Sequence, residues 1–206
     1  MDQSILKQSL KTIEFIYNDS MYNDTDIYRV KDLIHSLDDN HWKSKEWLAD
    51  AIASVYGKWD GGKFVVLGGW YGLGAYCLRK MFPEDTFHIV SVDMDPICAK
   101  VGWELFKDYN IEFITADAFE YDTKDADVIV NTSCEHMSQE MVNSLIKKKG
   151  KWTWCAFQSC DLVHPSHVNT QADEISFRDS MQGLTDVRYI GQLPNSGFKR
   201  YMVIGR

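Results

Sequence analysis

The 206-residue sequence predicts an α/β protein: a mostly parallel, doubly wound, seven-stranded sheet with a C-terminal antiparallel hairpin, preceded by a helical segment. Three observations predict this fold class. From Lys63 onward, short apolar runs alternate with amphipathic helical stretches, which is typical of right-handed βαβ units. Before residue 60 the apolar residues show only helical periodicity. The last two apolar runs are joined by a linker too short for a parallel crossover, so they must be antiparallel.

The first sixty residues are predicted to be helical. Apolar residues recur at helical spacing in three sets: Leu6, Leu10, Ile13 and Tyr17; Ile27, Val30, Ile34 and Leu37; and Leu48, Ile52 and Val55. The polar stretch 18–26 separates the first two sets, and a turn at 60–62 ends the helical part. We therefore expect two parts, a helical extension over residues 1–60 and a sheet domain over residues 61–206.

The sheet domain is predicted from apolar runs and the helices between them. The strands are 64–67, 87–92, 111–114, 127–130, 151–157, 186–193 and 199–204, and the helices are 73–82, 96–108 and 138–147. The second of these helices begins with Asp95 as N-cap and Pro96 at the first helical position. In the fifth strand, Trp152 and Trp154 alternate, and we expect both to pack against a helix layer.

Composition narrows the class of protein. Hydrophobic residues make up 45% and charged residues 25% of the chain, which is ordinary for a soluble globular protein. No run of 18 apolar residues predicts a membrane span, and no signal peptide is evident. Five cysteines without a CxxC pair disfavour a disulfide framework or a four-cysteine zinc site, so we expect reduced thiols and a cytoplasmic protein. A net charge of −8 makes nucleic acid an unlikely partner.

A glycine loop follows the first strand, and an acid follows the second. Gly68, Gly69 and Gly72 would let the backbone turn sharply and approach a ligand without a Cβ clash. Asp93 ends the second strand, where its carboxylate can accept hydrogen bonds from both hydroxyls of a ribose. The alternative is a tight turn with a capping Asp. Glycines and an acid at this spacing favour a ligand that contains adenosine.

Other nucleotide motifs fit less well. The dinucleotide fingerprint needs a third glycine, which the stretch 72–77 lacks, and no Walker-type phosphate loop is present. The third strand is followed by Asp117, Ala118 and Phe119. An Asp or its neighbouring amide here can bond the amino group of an adenine while Phe119 covers the face of the base. Alternatively, Phe119 is a core residue and Asp117 a turn residue.

Taken in order, these motifs resemble those of class I S-adenosylmethionine-dependent methyltransferases. The likeness covers residues 63–206 and includes the glycine loop, the acid after strand two, the acidic-x-aromatic element and the final hairpin. A Glu-His pair after the fourth strand, Glu135-His136, is also frequent in that family. The resemblance implies S-adenosylmethionine as cofactor, with contacts from Gly68, Gly69, Trp70, Gly72, Asp93, Met94, Asp117, Ala118, Phe119, Asn131 and Thr132.

Two positions depart from the family pattern. Trp70 stands where the loop usually has glycine, and Val66 stands where an acid usually helps to orient the methionine end of the cofactor. Trp70 can be interpreted as stacking on a substrate, closing the pocket or filling the cofactor site. These departures keep open the hypothesis of a binding module that does not catalyse transfer.

Candidate catalytic and acceptor residues follow strands four and five. His136 is the candidate base with Glu135 as its orienter, although both residues can equally belong to a helix start. We expect Ser133, Gln158, His164 and His167 to contact the acceptor, unless the later three belong to an ordinary surface loop. A metal held by Asp161, His164 and His167 is the less favoured interpretation, and no metal is expected.

We therefore interpret the chain as a methyltransferase with a small-molecule acceptor. The acidic charge favours such an acceptor, as does the absence of an Asn/Asp-Pro-Pro-aromatic tetrapeptide. The rival interpretations are a non-catalytic S-adenosylmethionine-binding module and a nicotinamide-dependent oxidoreductase. The N-terminal helices are expected to cover the crevice, to bury one face of the sheet or to form a dimer contact.

Overall fold

The structure, a computed structural model, describes residues 3–18, 26–56 and 60–206. In this part of the chain the α-helices are α1 (Gln3–Asn18), α2 (Asp26–Ser36), α3 (Asp39–Tyr56), α4 (Leu73–Met81), α5 (Pro96–Phe106), α6 (Gln139–Lys148) and α7 (Glu174–Ser180). The strands are β1 (Gly62–Leu67), β2 (Phe87–Asp93), β3 (Glu112–Thr115), β4 (Val128–Asn131), β5 (Trp154–Cys160), β6 (Val187–Asn195) and β7 (Phe198–Gly205).

The seven strands form one sheet in the order β3-β2-β1-β4-β5-β7-β6. Strand β1 pairs in parallel with β2 and β4, and the parallel pairing continues outward to β3 and β5. Strand β7 is antiparallel to both β5 and β6, so it runs against the other six. The predicted fold class is confirmed.

Helices cover both faces of the sheet, which explains why its central strands are continuous apolar runs. Alternate residues of β1 enter two separate cores. Phe64 and Val66 belong to the core that also contains Leu33, Leu48 and Ile52 of the N-terminal helices. Val65 and Leu67 belong to the core formed with α6 and α7. The N-terminal helices therefore bury one face of the sheet.

Three details differ from the sequence prediction or fall outside it. Strand β5 lies three residues later than predicted, so Trp152 precedes it and is 66% exposed, whereas Trp154 is buried beside Tyr56. The expectation that both indoles pack on a helix layer therefore holds only for Trp154. Helix α7 was not predicted. Most of the predicted polar break at 18–26 lies outside the described residues. None of the described helices has the length and hydrophobicity of a bilayer span.

Candidate active site

A cavity of about 690 Å³ opens at the carboxyl ends of the parallel strands. Ligands of open α/β sheets bind at this edge. A smaller inner cavity of about 90 Å³ shares several wall residues with it, Gly68 and Trp70 among them. The structure brings these sequence-predicted residues to the larger cavity: Gly68, Trp70, Asp93, Met94, Asp117, Ala118, Phe119, Ser133, Glu135, His136, His164 and His167. Gly69 and Thr132 line the inner cavity.

The loop after β1 passes very close to β2. A Cβ at Gly69 would lie 2.1 Å from Ser91 Oγ, so a larger residue there would force the Ser91 side chain to move. Gly72 precedes α4 with φ +89°, and a Cβ there would lie 2.5 Å from the ring of Phe113. Gly72 lines neither cavity, because it sits against the protein interior.

Asp93 faces the larger cavity at the end of β2, held by two backbone amides. Its Oδ2 accepts a hydrogen bond from the N–H of Trp70 at 2.8 Å, and its Oδ1 accepts one from the N–H of Asp95 at 3.0 Å. The N-cap of α5 is Asp95, whose side chain accepts from the N–H of Ile97. Asp93 is therefore not the capping residue, and its carboxylate is orientated at the cavity wall.

The side chain of Trp70 joins the glycine loop to α2. Its indole Nε1 donates to Asp32 Oδ2 at 3.0 Å, and the hydroxyl of Tyr71 donates to the same oxygen at 2.9 Å. The indole stacks on the Tyr71 ring and meets the rings of His35 and His41 edge-on. Trp70 has φ +50°, an uncommon conformation for a residue with a side chain. The indole therefore forms part of the wall between the sheet and the N-terminal helices.

The element after β3 forms another part of the wall. The N–H of Phe119 donates to Asp117 Oδ1 at 2.8 Å, which leaves Asp117 Oδ2 available to a ligand. Met94 also lines the larger cavity and is 74% exposed. Two apolar side chains and a carboxylate thus lie on the same stretch of wall.

Glu135 is buried, with 3% exposure, and is paired with a residue from the far end of the chain. Arg200, in β7, donates to Glu135 Oε1 at 3.0 Å and also to the carbonyl of Thr132. His136 Nδ1 lies 3.1 Å from the carbonyl of Ser166. The sequence suggested Glu135 as the residue that orients His136. In the structure the carbonyl of Ser166 orients it instead.

Lys45 of α3 lies at the inner cavity with 7% exposure. Its ammonium lies near the carboxylate of Glu135, whose Oε1 is already bonded to Arg200. Burial, and then the positive charge of Arg200, lowers the pKa of Lys45 to about 7. Burial and Lys45 together lower the pKa of the neighbouring His41 to about 4.

Known proteins resemble this chain in structure but not in sequence. No protein-family model matches the sequence, and no curated protein matches it. The CurJ carbon methyltransferase superposes with a TM-score of 0.66 at 11% identity, covering 84% of this chain and 57% of its own. MtNAS in complex with MTA and tNA superposes with a TM-score of 0.63 at 12% identity, covering 99% of this chain and 70% of its own. A TehB-like SAM-dependent methyltransferase from Corynebacterium glutamicum superposes with a TM-score of 0.57 at 12% identity, covering 91% of this chain and 98% of its own.

The chain has the class I methyltransferase fold. This chain spans little more than half the length of the CurJ enzyme, and identities of 11–12% extend the likeness to the fold alone. The coverage of 99% with MtNAS includes the N-terminal helices. The methyltransferase fold therefore accounts for the order of the strands and for the position of the cavity.

Within the methyltransferase fold, three polar residues have structural contacts of their own: Asn131 at the end of β4, Gln158 within β5 and Asp161 directly after β5. Asn131 accepts from the N–H of Ser133, and its amide meets Met137 Sδ. Gln158 exchanges two hydrogen bonds with Ser44 of α3. Neither Asn131 nor Gln158 lines either cavity, so the structure does not bring them to a ligand. The carboxylate of Asp161 bonds to β7, away from the metal site considered with His164 and His167.

Two wall residues were missed by sequence reasoning. Lys45 lies within an amphipathic helix, where a lysine normally faces solvent, and Arg200 lies in a strand far along the chain. No local pattern connects either residue to Glu135. The Glu135-His136 pair was correctly expected at the cavity, but its sequence did not indicate that Lys45 and Arg200 lie near Glu135.

Proposed function

We propose that this protein is an S-adenosylmethionine-dependent methyltransferase that acts on a small molecule. The observation that carries the proposal is Asp93, whose two carboxylate oxygens are held by backbone amides at the cavity wall beside the glycine loop. Each oxygen retains a further lone pair that can accept a ribose hydroxyl. A carboxylate with its geometry already fixed in this way suits the sugar of a nucleoside.

The neighbouring wall fits an adenine. Asp117 Oδ2 is available to accept a hydrogen bond from an exocyclic amino group, since Oδ1 is already bonded to the backbone. Met94 and Phe119 supply apolar surface for the faces of the base. These residues follow β2 and β3, the two strands that pair side by side beyond β1.

The inner cavity fits the amino-acid end of the cofactor. Val66 contributes no charge there, whereas Lys45 places a buried ammonium near Glu135, a carboxylate that is already paired with Arg200. A buried cation is costly unless it is paired. The carboxylate of the cofactor would supply that pair, so we assign Lys45 to this group.

The bound cofactor supplies a methyl group activated by its sulfonium. The chain's own residues then have to orient the acceptor and exclude water. The outer part of the cavity, with Ser133, His136, His164 and His167 on its wall, is the space left for an acceptor. The net charge of −8 does not favour a nucleic acid there.

Calorimetric titration with S-adenosylhomocysteine and, separately, with NADH tests the proposal. We expect saturable binding of the first and none of the second, because the loop lacks the dinucleotide fingerprint. Transfer of a labelled methyl group to a fractionated pool of small molecules then tests catalysis. Binding of S-adenosylhomocysteine without transfer to any fraction would favour the binding module. Binding of NADH alone would overturn the proposal.

A further inference from the structure

Three side chains that can each donate to a metal converge on the outer wall of the larger cavity. Glu135, His136 and His167 each offer a ligand atom, and these atoms all lie within 4.8 Å of one another. The rings of His136 and His167 meet edge-on with centroids 4.7 Å apart. The N–H groups of Val168 and Asn169 both donate to the carbonyl of Glu135, which holds the loop of His167 against the turn of His136.

Both imidazoles are orientated by backbone carbonyls. His136 Nδ1 bonds to the carbonyl of Ser166 at 3.1 Å, and His167 Nδ1 bonds to the carbonyl of Leu162 at 2.7 Å. Because a carbonyl only accepts, each Nδ1 carries the proton and each neutral ring keeps a lone pair on Nε2. Metal-ligating histidines commonly have this second hydrogen bond, since it fixes the tautomer and the ring orientation.

The carboxylate of Glu135 provides an independent observation. Oε1 is bonded to Arg200, whereas Oε2 is buried and has no hydrogen-bond partner among the described residues. A buried acceptor left without a partner costs free energy. A bound cation would give Oε2 a partner, and the bond from Arg200 to Oε1 would support the carboxylate as ligating carboxylates usually are supported.

We propose that Glu135, His136 and His167 bind a divalent first-row transition-metal ion of the Zn²⁺ class. Two imidazoles and one carboxylate suit such an ion better than Mg²⁺ or Ca²⁺, which prefer oxygen ligands. Three protein ligands leave a coordination position open to the cavity, as in catalytic zinc sites. Two cations, Arg200 and Lys45, lie near Glu135, and four carboxylates on the cavity wall offset their charge: Asp32, Asp38, Asp93 and Asp117.

The position of this site has a consequence that rests on the proposed function. The open coordination position faces the space left for the acceptor. A hydroxyl or thiol of the acceptor bound there would lose its proton to a water molecule more readily, because a metal ion lowers the pKa of its ligand, and the resulting anion would then take the methyl group from the sulfonium. His136 then acts as a ligand through Nε2 and does not serve as the base that the sequence suggested.

A second cluster on the wall provides a contrast. His35, Asp38 and His41 also lie within 4.8 Å of one another. Here both carboxylate oxygens of Asp38 are already bonded, Oδ1 to His41 and Oδ2 to His35. Asp38 therefore has no orphaned oxygen, and the cluster is complete without an ion.

Metal titration of the chelator-treated full chain tests the inference. Zn²⁺ binding is measured by calorimetry, and Co²⁺ binding by the visible absorption of the ion. We expect one saturable site. Loss of a hydrogen bond that only supports a ligand lowers metal affinity by about 10- to 100-fold, so H136A and H167A, which each remove a ligand, should lower the Zn²⁺ affinity by at least that much. Both histidines lie at the cavity surface, so folding should tolerate their removal.

Two control variants locate the site. H41A removes a member of the second cluster, and H88A removes an exposed histidine that pairs with Glu112 at the other end of β2. We expect both to bind Zn²⁺ as the wild type does. Absence of saturable binding, unchanged affinity in H136A and H167A, or loss of binding in H41A would each overturn the inference. A titration of the same preparations with S-adenosylhomocysteine reports on the proposed function separately, because it needs no metal.

Discussion

Asp93 Oδ2 and the backbone N–H of Trp70 lie 2.8 Å apart, so the carboxylate that ends β2 is bonded to the loop that follows β1. The same residue, Trp70, reaches α2 through its indole. The candidate ribose contact and the N-terminal helices are thus connected through one residue.

Replacing Asp93 with Ala should weaken binding of S-adenosylhomocysteine by about 1–3 kcal/mol, because the ribose hydroxyls and the Trp70 amide lose their acceptor. Calorimetry gives the affinity directly. The matched control is D95A, which removes the N-cap of α5 and should cost about 1 kcal/mol of stability without a comparable loss of affinity. Equal affinity of D93A and the wild type would remove Asp93 from the site.

Replacing Lys45 with Met should reduce the affinity for S-adenosylhomocysteine by about tenfold or more, since the charge-assisted bond to the carboxylate is lost. Binding of 5′-methylthioadenosine, which lacks the amino-acid end, should be unchanged. The comparison of the two ligands separates the inner cavity from the nucleoside wall. If K45M weakened both ligands equally, Lys45 would not hold the carboxylate.

The same substitution predicts a pH dependence of stability. The pKa of Lys45 is about 7 in the folded protein and 10.5 ordinarily, so between these values the unfolded chain binds more protons. Stability of the wild type relative to K45M should therefore rise as the pH increases from about 7 to 10 and be constant below 7. The rise is at most about 5 kcal/mol, at 1.36 kcal/mol per pKa unit. Urea denaturation of both proteins across this range measures it, and parallel curves would contradict it.

Replacing Gly69 with Ala should destabilise the fold by about 1–3 kcal/mol, because the new Cβ meets Ser91 Oγ at 2.1 Å. S91A alone should change stability little, since this buried hydroxyl has no hydrogen-bond partner among the described residues. The double variant G69A/S91A should then recover most of the loss, because the next contact is 3.4 Å from the Cβ. Additive effects in a double-mutant cycle would show that the clash is not the cause.

Replacing Trp70 with Phe should lower the free energy of unfolding by about 0.5–1.5 kcal/mol through loss of the bond to Asp32. The control is W103F, which alters an exposed indole of α5. Chemical denaturation compares the two. An effect no larger than that of W103F would mean that the indole does not help to hold α2 against the loop.

Local sequence patterns were enough to predict the sheet and to place Asp93 and Asp117 at the same edge of it. Asp93 is the last residue of β2 and Asp117 lies two residues beyond the end of β3, so the parallel pairing of these strands places both at the same edge. The start of β5 was predicted too early because Trp152 is a residue type common in strands. In the structure Trp152 precedes β5, and its ring contacts the side chains of Lys151 and Arg206. Aromatic residues at a strand end satisfy strand propensity whether or not the ladder includes them.

The charged part of the site could not be predicted in this way. Glu135 and Arg200 are separated by 65 residues, and their contact depends on the antiparallel pairing of β7 with β5. Lys45 reaches the inner cavity only because α3 packs over the sheet. Helical periodicity predicts which face of α3 is apolar, but a buried lysine on that face violates the pattern. The position of His167 beside His136 could not be predicted either, because it depends on backbone hydrogen bonds between the loop of His167 and the carbonyl of Glu135.

The division of the cavity wall between two parts of the chain has a consequence for the evolution of specificity. Asp32, His35, Asp38 and His41 come from α2, α3 and their junction, whereas the candidate nucleoside contacts come from the strand ends. Exchange of the first sixty residues for those of another protein with this fold would therefore preserve Asp93 but replace both these wall residues and Lys45. The incoming helices would have to supply their own partner for the carboxylate end of the proposed cofactor.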